Sequence, residues 1–230
     1  MEEYVLTAIQ LGLPCMTFLE HLECGIIYDH RTWLTADLFD CYFQEGHRLK
    51  KKFSSSIEIR LGVELGYNPF AVHELQTMLD SFPFEHIGLS YHFFFDGTRH
   101  CNVVSRRSEN ITALQDAGVE RVLDDYFGGL LDAVSLLSCD KICHLDAVLR
   151  HLPGLRFAPR HHKQISKILD CMALKGIALE VNTSGYDLRS HPYPMEQIIN
   201  QARRKNIPLI AGSDAHRPEQ IGRYFDCLSF

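Results

Sequence analysis

The sequence predicts one α/β domain built on a parallel sheet, and three observations carry that prediction. Six short apolar runs recur along the 230 residues, segments with helical period separate them, and no linker or repeat divides the chain. The runs are Cys15–Leu19, Glu58–Leu65, His86–Tyr91, Lys141–Leu145, Ile177–Asn182 and Pro208–Gly212. Each has the length and composition of a strand buried on both faces, as parallel strands are. Between them, apolar residues return at the spacing of one helix face. The sets are Val5, Ala8 and Ile9; Leu38, Phe39, Tyr42 and Phe43; Val122, Tyr126, Leu130 and Val134; Ile165, Ile168, Leu169 and Met172; and Ile198, Ile199 and Ala202. The alternation fits either a barrel or a doubly wound sheet. Gly and Pro are dispersed, so a single domain over residues 1–230 is expected.

Composition narrows the function. Apolar residues make up 46% and charged residues 23% of the chain, the ordinary proportions of a globular protein, which excludes disordered and fibrous classes. No apolar run approaches the roughly 20 residues that span a bilayer, and the first residues are acidic where a signal peptide would be basic, so a cytoplasmic protein without a membrane role is expected. A formal charge of -6, with only Arg48–Lys52 concentrating basic residues, argues against nucleic acid as a partner. Oligomeric state is left open. The eight cysteines contain no Cys-x-x-Cys pair and read as mostly buried thiols, with zinc at Cys139 and Cys143 a minor alternative. Thirteen histidines are many for this length and direct attention to metal or acid–base chemistry.

The positions of those histidines matter more than their number. Glu20 and His21 follow the first run, Glu64 lies in the second, His92 follows the third, His144 and Asp146 end the fourth, and Asp214 and His216 follow the sixth. In parallel α/β folds the carboxyl ends of the strands form one rim, where sites are built. A single histidine at a strand end is more often a satisfied core or surface group, and Asp214 alone reads as a helix N-cap. Five of six strands ending in such residues makes that bland reading hard to sustain. Imidazoles and carboxylates gathered on a rim suit zinc, manganese or iron, and Glu64 could bridge two ions that activate water against a phosphoryl group.

The blocks Gly62-Val63-Glu64, Ser90-Tyr91-His92-Phe93, His144-Leu145-Asp146, Glu180-Val181-Asn182-Thr183-Ser184-Gly185 and Ser213-Asp214-Ala215-His216 resemble the ordered motifs of the PHP (polymerase and histidinol phosphatase) family. Phe18-Leu19-Glu20-His21 resembles its Thr-Glu-His element, and the Asn-Thr-Ser-Gly and Ser-Asp-Ala-His blocks are nearest the histidinol phosphatases. The resemblance implies a distorted (β/α)7 barrel holding two or three divalent ions, zinc, manganese or iron, that hydrolyses L-histidinol phosphate. The family's first strand, with its His-x-His pair, has no counterpart here, and the chain end at 227–230 falls where a closing helix should be under way, so truncation at either end is expected.

Carried over residue by residue, the resemblance makes Glu64, His92 and His144 ligands of the most complete metal position. It assigns Asp214 to a second ion, and His21 and His216 to a third. Catalytic roles fall to Glu64, Asp214 and His216. For a small phosphorylated metabolite, Arg189 is the expected phosphate partner, because a guanidinium fork matches two oxygens, with Arg217 or Arg160 as alternatives and Asn182 binding ligand or holding its loop. Two other functions stay open. One is a degenerate relative that binds one metal or none, and the other a phosphoesterase acting on nucleotides or nucleic-acid ends.

Overall fold

A computed structural model describes residues 1–228; the last two positions of the expected closing helix, Ser229 and Phe230, lie outside the described residues. The helices are α1 (Glu2–Gln10), α2 (Ala36–Lys52), α3 (Val72–Ser81), α4 (Ser108–Ala117), α5 (Val119–Leu136), α6 (Pro159–Lys175) and α7 (Glu196–Arg204). The strands are β1 (Cys15–Leu22), β2 (Glu58–Gly66), β3 (Ile87–Ser90), β4 (Phe93–Phe95), β5 (His100–Asn102), β6 (Lys141–Ile142), β7 (Ala178–Asn182) and β8 (Leu209–Gly212). Six strands pair in parallel in the order β1-β2-β3-β6-β7-β8, and the sheet curls into a half-barrel whose two edges are β1 and β8. A seventh parallel strand is not among the described residues.

The two faces of the sheet have opposite chemistry, because successive side chains of a strand alternate. On the convex face, Phe18, Ile59, Leu61, Val63, Leu65, Leu89, Ile142, Leu179 and Val181 are buried against the helices, whose apolar stripes supply Phe39, Tyr42, Val122, Tyr126, Leu130, Ile165, Leu169 and Ile198. The concave face carries His21, Glu64, Lys141 and Glu180, interspersed with Gly62, Gly66, Gly88 and Gly212. Those glycines are a consequence of curvature. A Cβ on Gly88 would lie 2.6 Å from the Cys143 sulfur, and one on Gly62 would lie 2.3 Å from the carbonyl oxygen of His86. The curled interior has room for polar side chains only where neighbouring positions have none.

The structure departs from the sequence expectation at four places, the first being the cysteines, of which only Cys101 and Cys143 are buried while Cys15, Cys41 and Cys227 are exposed. Only Lys141–Ile142 pairs as β6, because the chain turns at His144, which sits in the left-handed region at φ 26°. Helices α3 and α4 and the antiparallel β4–β5 hairpin were not anticipated. Near the chain end the residues Phe225–Cys227 form a 3-10 turn. No helix among the described residues is long and apolar enough to cross a membrane.

Candidate metal centre

Parallel register gathers the site. His21 of β1 lies beside Glu64 of β2, and Glu64 lies beside Gly88 of β3, so the two ligand-type residues share the concave face. His92 stands just past β3 and His144 just past β6, on adjacent strands. Glu64 Oε1 is 2.9 Å from His144 Nε2 and 3.1 Å from His92 Nε2, and all three residues are buried. His21 tilts over His92 with ring centroids 4.9 Å apart.

The remaining predicted ligands lie at the same mouth, further out. His216 has its ring centroid 6.5 Å from that of His21, and its Nδ1 is 3.5 Å from the Asp214 carboxylate. Asp214 adopts φ 49°, a conformation that few residues other than glycine tolerate. Arg223 holds it there, donating to the carbonyls of Ser213 and Asp214 at 2.8 and 2.9 Å, and Ser184 Oγ lies 3.3 Å from the Asp214 carboxylate. The six predicted metal-ligating residues therefore converge.

The donor set fits a divalent cation. One carboxylate oxygen faces two imidazole nitrogens inside a buried pocket, and a cation with nitrogen and oxygen preferences satisfies all three at once. Two groups of residues could each hold an ion, Glu64 with His92 and His144, and His21 with Glu23 and His92. Electrostatics agree with this arrangement. Burial opposes charge on Glu64, but His21 and the hydrogen bonds from His144 and His92 hold its carboxyl well below the usual range. Burial also opposes charge on His92, yet its bonds to Glu23 and Glu64 raise it to about 10. Burial pushes His21 down; burial also opposes charge on Asp214, but His144, His216 and Arg150 together lower its carboxyl.

A pH dependence follows with a definite sign. His92 is raised above its free value of about 6.5, so the proton it holds stabilises the folded chain below that pH, and the contribution is lost as pH rises through about 10. Chelator-stripped protein should show a melting temperature, read by circular dichroism, that declines across that window. Protein loaded with Zn(II) should lack the decline, since an ion at the same nitrogen replaces the proton. A flat profile for the stripped protein would contradict this account.

The guanidinium candidates are placed less as expected. Arg189 donates to the buried Asp146 carboxylate and to the Pro192 carbonyl, both at 2.8 Å, with its guanidinium 3.8 Å from the Tyr193 ring centroid. These contacts occupy it in holding the 185–195 loop. Asn182 Oδ1 accepts from the N–H and hydroxyl of Ser184, at 3.0 and 2.6 Å, and so caps the 3-10 turn Thr183–Asp187. Arg217 is exposed at the start of the turn Pro218–Gln220, and Arg160 is paired with Asp124 and Glu120 on the α5–α6 surface.

Two residues of the site escaped the sequence. Arg150 lies 3.9 Å from the Asp214 carboxylate, in the loop that follows β6. Glu23 is buried with its Oε1 2.7 Å from His92 Nδ1. Alternation along β1 could have found Glu23, because it lies two positions after His21 on the same face, whereas Glu20 points to the convex side.

The PHP domain family model matches residues 1–184, and a PHP-associated model matches residues 194–225. The histidinol-phosphatase of Bacillus subtilis is 23% identical over 244 residues, which cover 99% of this chain and 91% of that protein. Among solved structures, a candidate histidinol phosphatase of Listeria monocytogenes superposes with TM-score 0.85 at 21% identity, over 99% of this chain and 93% of that one. The histidinol phosphate phosphatase of Lactococcus lactis, complexed with zinc, L-histidinol and phosphate, gives TM-score 0.67 at 21% identity, over 98% and 84% of the two chains.

Proposed function

We propose that this chain, which belongs to the PHP domain family, is a metal-dependent phosphomonoesterase that hydrolyses L-histidinol phosphate to L-histidinol and phosphate. The observation that carries the reading is the buried Glu64–His92–His144 group, where one carboxylate oxygen is shared between two imidazoles. The relatives supply the substrate: the Bacillus enzyme is a histidinol-phosphatase, and the Lactococcus structure holds zinc with L-histidinol and phosphate. The whole of residues 1–230 is taken as one catalytic unit, because the rim runs from His21 to His216.

Glu64, His92 and His144 would hold a divalent cation, zinc, manganese or iron, which would supply Lewis-acid activation of water and of the phosphoryl group, and Asp214 and His21 would serve further ions. In the reaction a P–O bond to water forms, the P–O bond to histidinol breaks, and the departing oxygen takes a proton. We assign that proton to His216, in place of the ion-ligand role, because only one ring nitrogen is free. Its Nδ1 lies 3.0 Å from the Asp214 carbonyl, to which it donates, which leaves Nε2 as the exchanging nitrogen on a ring that is 68% exposed at the mouth. Arg150 offers the phosphate a guanidinium beside Asp214, a role that Arg189 can take only by releasing Asp146.

The test is phosphate release by purified protein loaded with Mn(II) or Zn(II), with L-histidinol phosphate compared against p-nitrophenyl phosphate and a nucleoside monophosphate. Turnover should be highest on L-histidinol phosphate. Release no faster than that of a His144→Ala chain would end the enzymatic reading, and a preference for the nucleotide would end the substrate assignment.

A further inference from the structure

His92 is gripped from both sides. Its Nε2 faces Glu64 Oε1 at 3.1 Å, while its Nδ1 faces Glu23 Oε1 at 2.7 Å. A neutral imidazole carries a single ring hydrogen, so a ring that offers Nε2 as a metal ligand must carry that hydrogen on Nδ1 and give it to an acceptor. Glu23 is that acceptor. The Ser90 hydroxyl is a poor substitute, since it lies 3.4 Å from the same nitrogen and donates to the Leu65 carbonyl at 3.2 Å. Water is a poor substitute too, because the side chains of His92 and Glu23 are 4% and 2% exposed.

The surroundings of Glu23 show that its presence is costly. Its second oxygen, Oε2, has no hydrogen-bond partner among the described residues. A Cβ on Gly66 would fall 2.0 Å from that oxygen, so β2 carries a glycine where the carboxylate needs space. A buried carboxylate satisfied on one oxygen only is destabilising unless something else requires it. Nothing in the core packing requires it, whereas the orientation of His92 does.

We propose that Glu23 is a positioning residue that fixes His92 with its hydrogen on Nδ1 and its Nε2 toward Glu64, and thereby sets the affinity of the Glu64–His92–His144 group for a divalent cation. The proposal rests on the metal-site reading above and deepens it. Carboxylate partners of metal-ligating histidines raise metal affinity by about 10- to 100-fold.

The experiment measures Zn(II) affinity by competition with a chromophoric chelator in the wild-type, Glu23→Ala, Glu23→Gln and His92→Ala chains, together with the His92 ring tautomer of the Zn(II)-loaded chains by nitrogen-15 NMR. Glu23→Ala should bind Zn(II) about 10- to 100-fold more weakly and lose the Nδ1–H population. Glu23→Gln keeps the size and an acceptor oxygen, so it should recover much of both, and it reports even if the alanine variant fails to fold. Wild-type affinity and tautomer in both Glu23 variants, with His92→Ala impaired, would overturn the proposal alone. Wild-type affinity in His92→Ala as well would overturn the metal site itself.

Discussion

Glu64→Gln is expected to keep the fold while losing both the bound ion and the turnover. The amide has the size of the carboxylate, and the residue is packed between His144 Nε2 at 2.9 Å and His92 Nε2 at 3.1 Å, so the pocket keeps its shape. What disappears is the negative charge shared by two imidazoles, and a divalent cation held by neutral donors in a buried pocket is poorly compensated. With the ion at about 100 times its dissociation constant, binding stabilises a folded chain by about 2.7 kcal/mol. For a chain of this length that corresponds to about 5–10 °C in melting temperature. The wild type should show that shift on adding Zn(II), and Glu64→Gln should show none. Phosphate release should fall on the order of 10³-fold, equivalent to about 4 kcal/mol of transition-state stabilisation. Thermal-shift titration and a phosphate assay on the same preparations separate the two losses. A variant retaining both the zinc shift and the turnover would remove Glu64 from the centre.

The elements legible in the sequence were those whose signal is local. The apolar runs of β2 and β7 and the helical stripes of α2, α5, α6 and α7 are periodic patterns, and burial follows them closely. The rim residues were legible for the same reason, since each stands at the end of an apolar run. What escaped depends on distant partners. His144 and Asp214 take left-handed backbone angles, held by Glu180 in one case and Arg223 in the other, and no pattern around either residue announces it. Arg189 looked like a phosphate ligand because it follows the Asn-Thr-Ser-Gly block, but its partner is Asp146, 43 positions earlier. The β4–β5 hairpin was hidden by Phe93-Phe94-Phe95, an apolar run too short to separate from the end of the preceding strand.

The largest effect on stability should come from Glu180, a residue to which the sequence assigns no role of its own. Glu180 and Lys141 face each other inside the half-barrel, Nζ to Oε1 at 3.2 Å, with side chains that are each 6% exposed. Burial disfavours the Lys141 ammonium, but the surrounding groups, Glu180 foremost among them, together raise its pKa. The carboxylate also acts on the site, because Oε2 accepts the His144 N–H at 3.1 Å and so supports the turn that presents the imidazole. Glu180→Ala removes both contacts and leaves the ammonium without its nearest anion. Breaking one side of a buried pair costs about 3–5 kcal/mol. At about 2–4 °C per kcal/mol for a chain of this size, the melting temperature should drop by about 6–20 °C. Replacing the pair together, Lys141→Met with Glu180→Leu, exchanges the ions for apolar volume, which is often neutral or stabilising. The double variant should therefore regain most of the lost stability, less about 1–3 kcal/mol for the unpaired His144 N–H. It should not regain zinc affinity, because the turn carrying His144 has lost its support. Stability and metal binding that recover together would mean that Glu180 serves the fold alone. A single variant that melts within about 1 kcal/mol of the wild type would mean that water reaches Lys141, and that the concave face is more open than this packing allows.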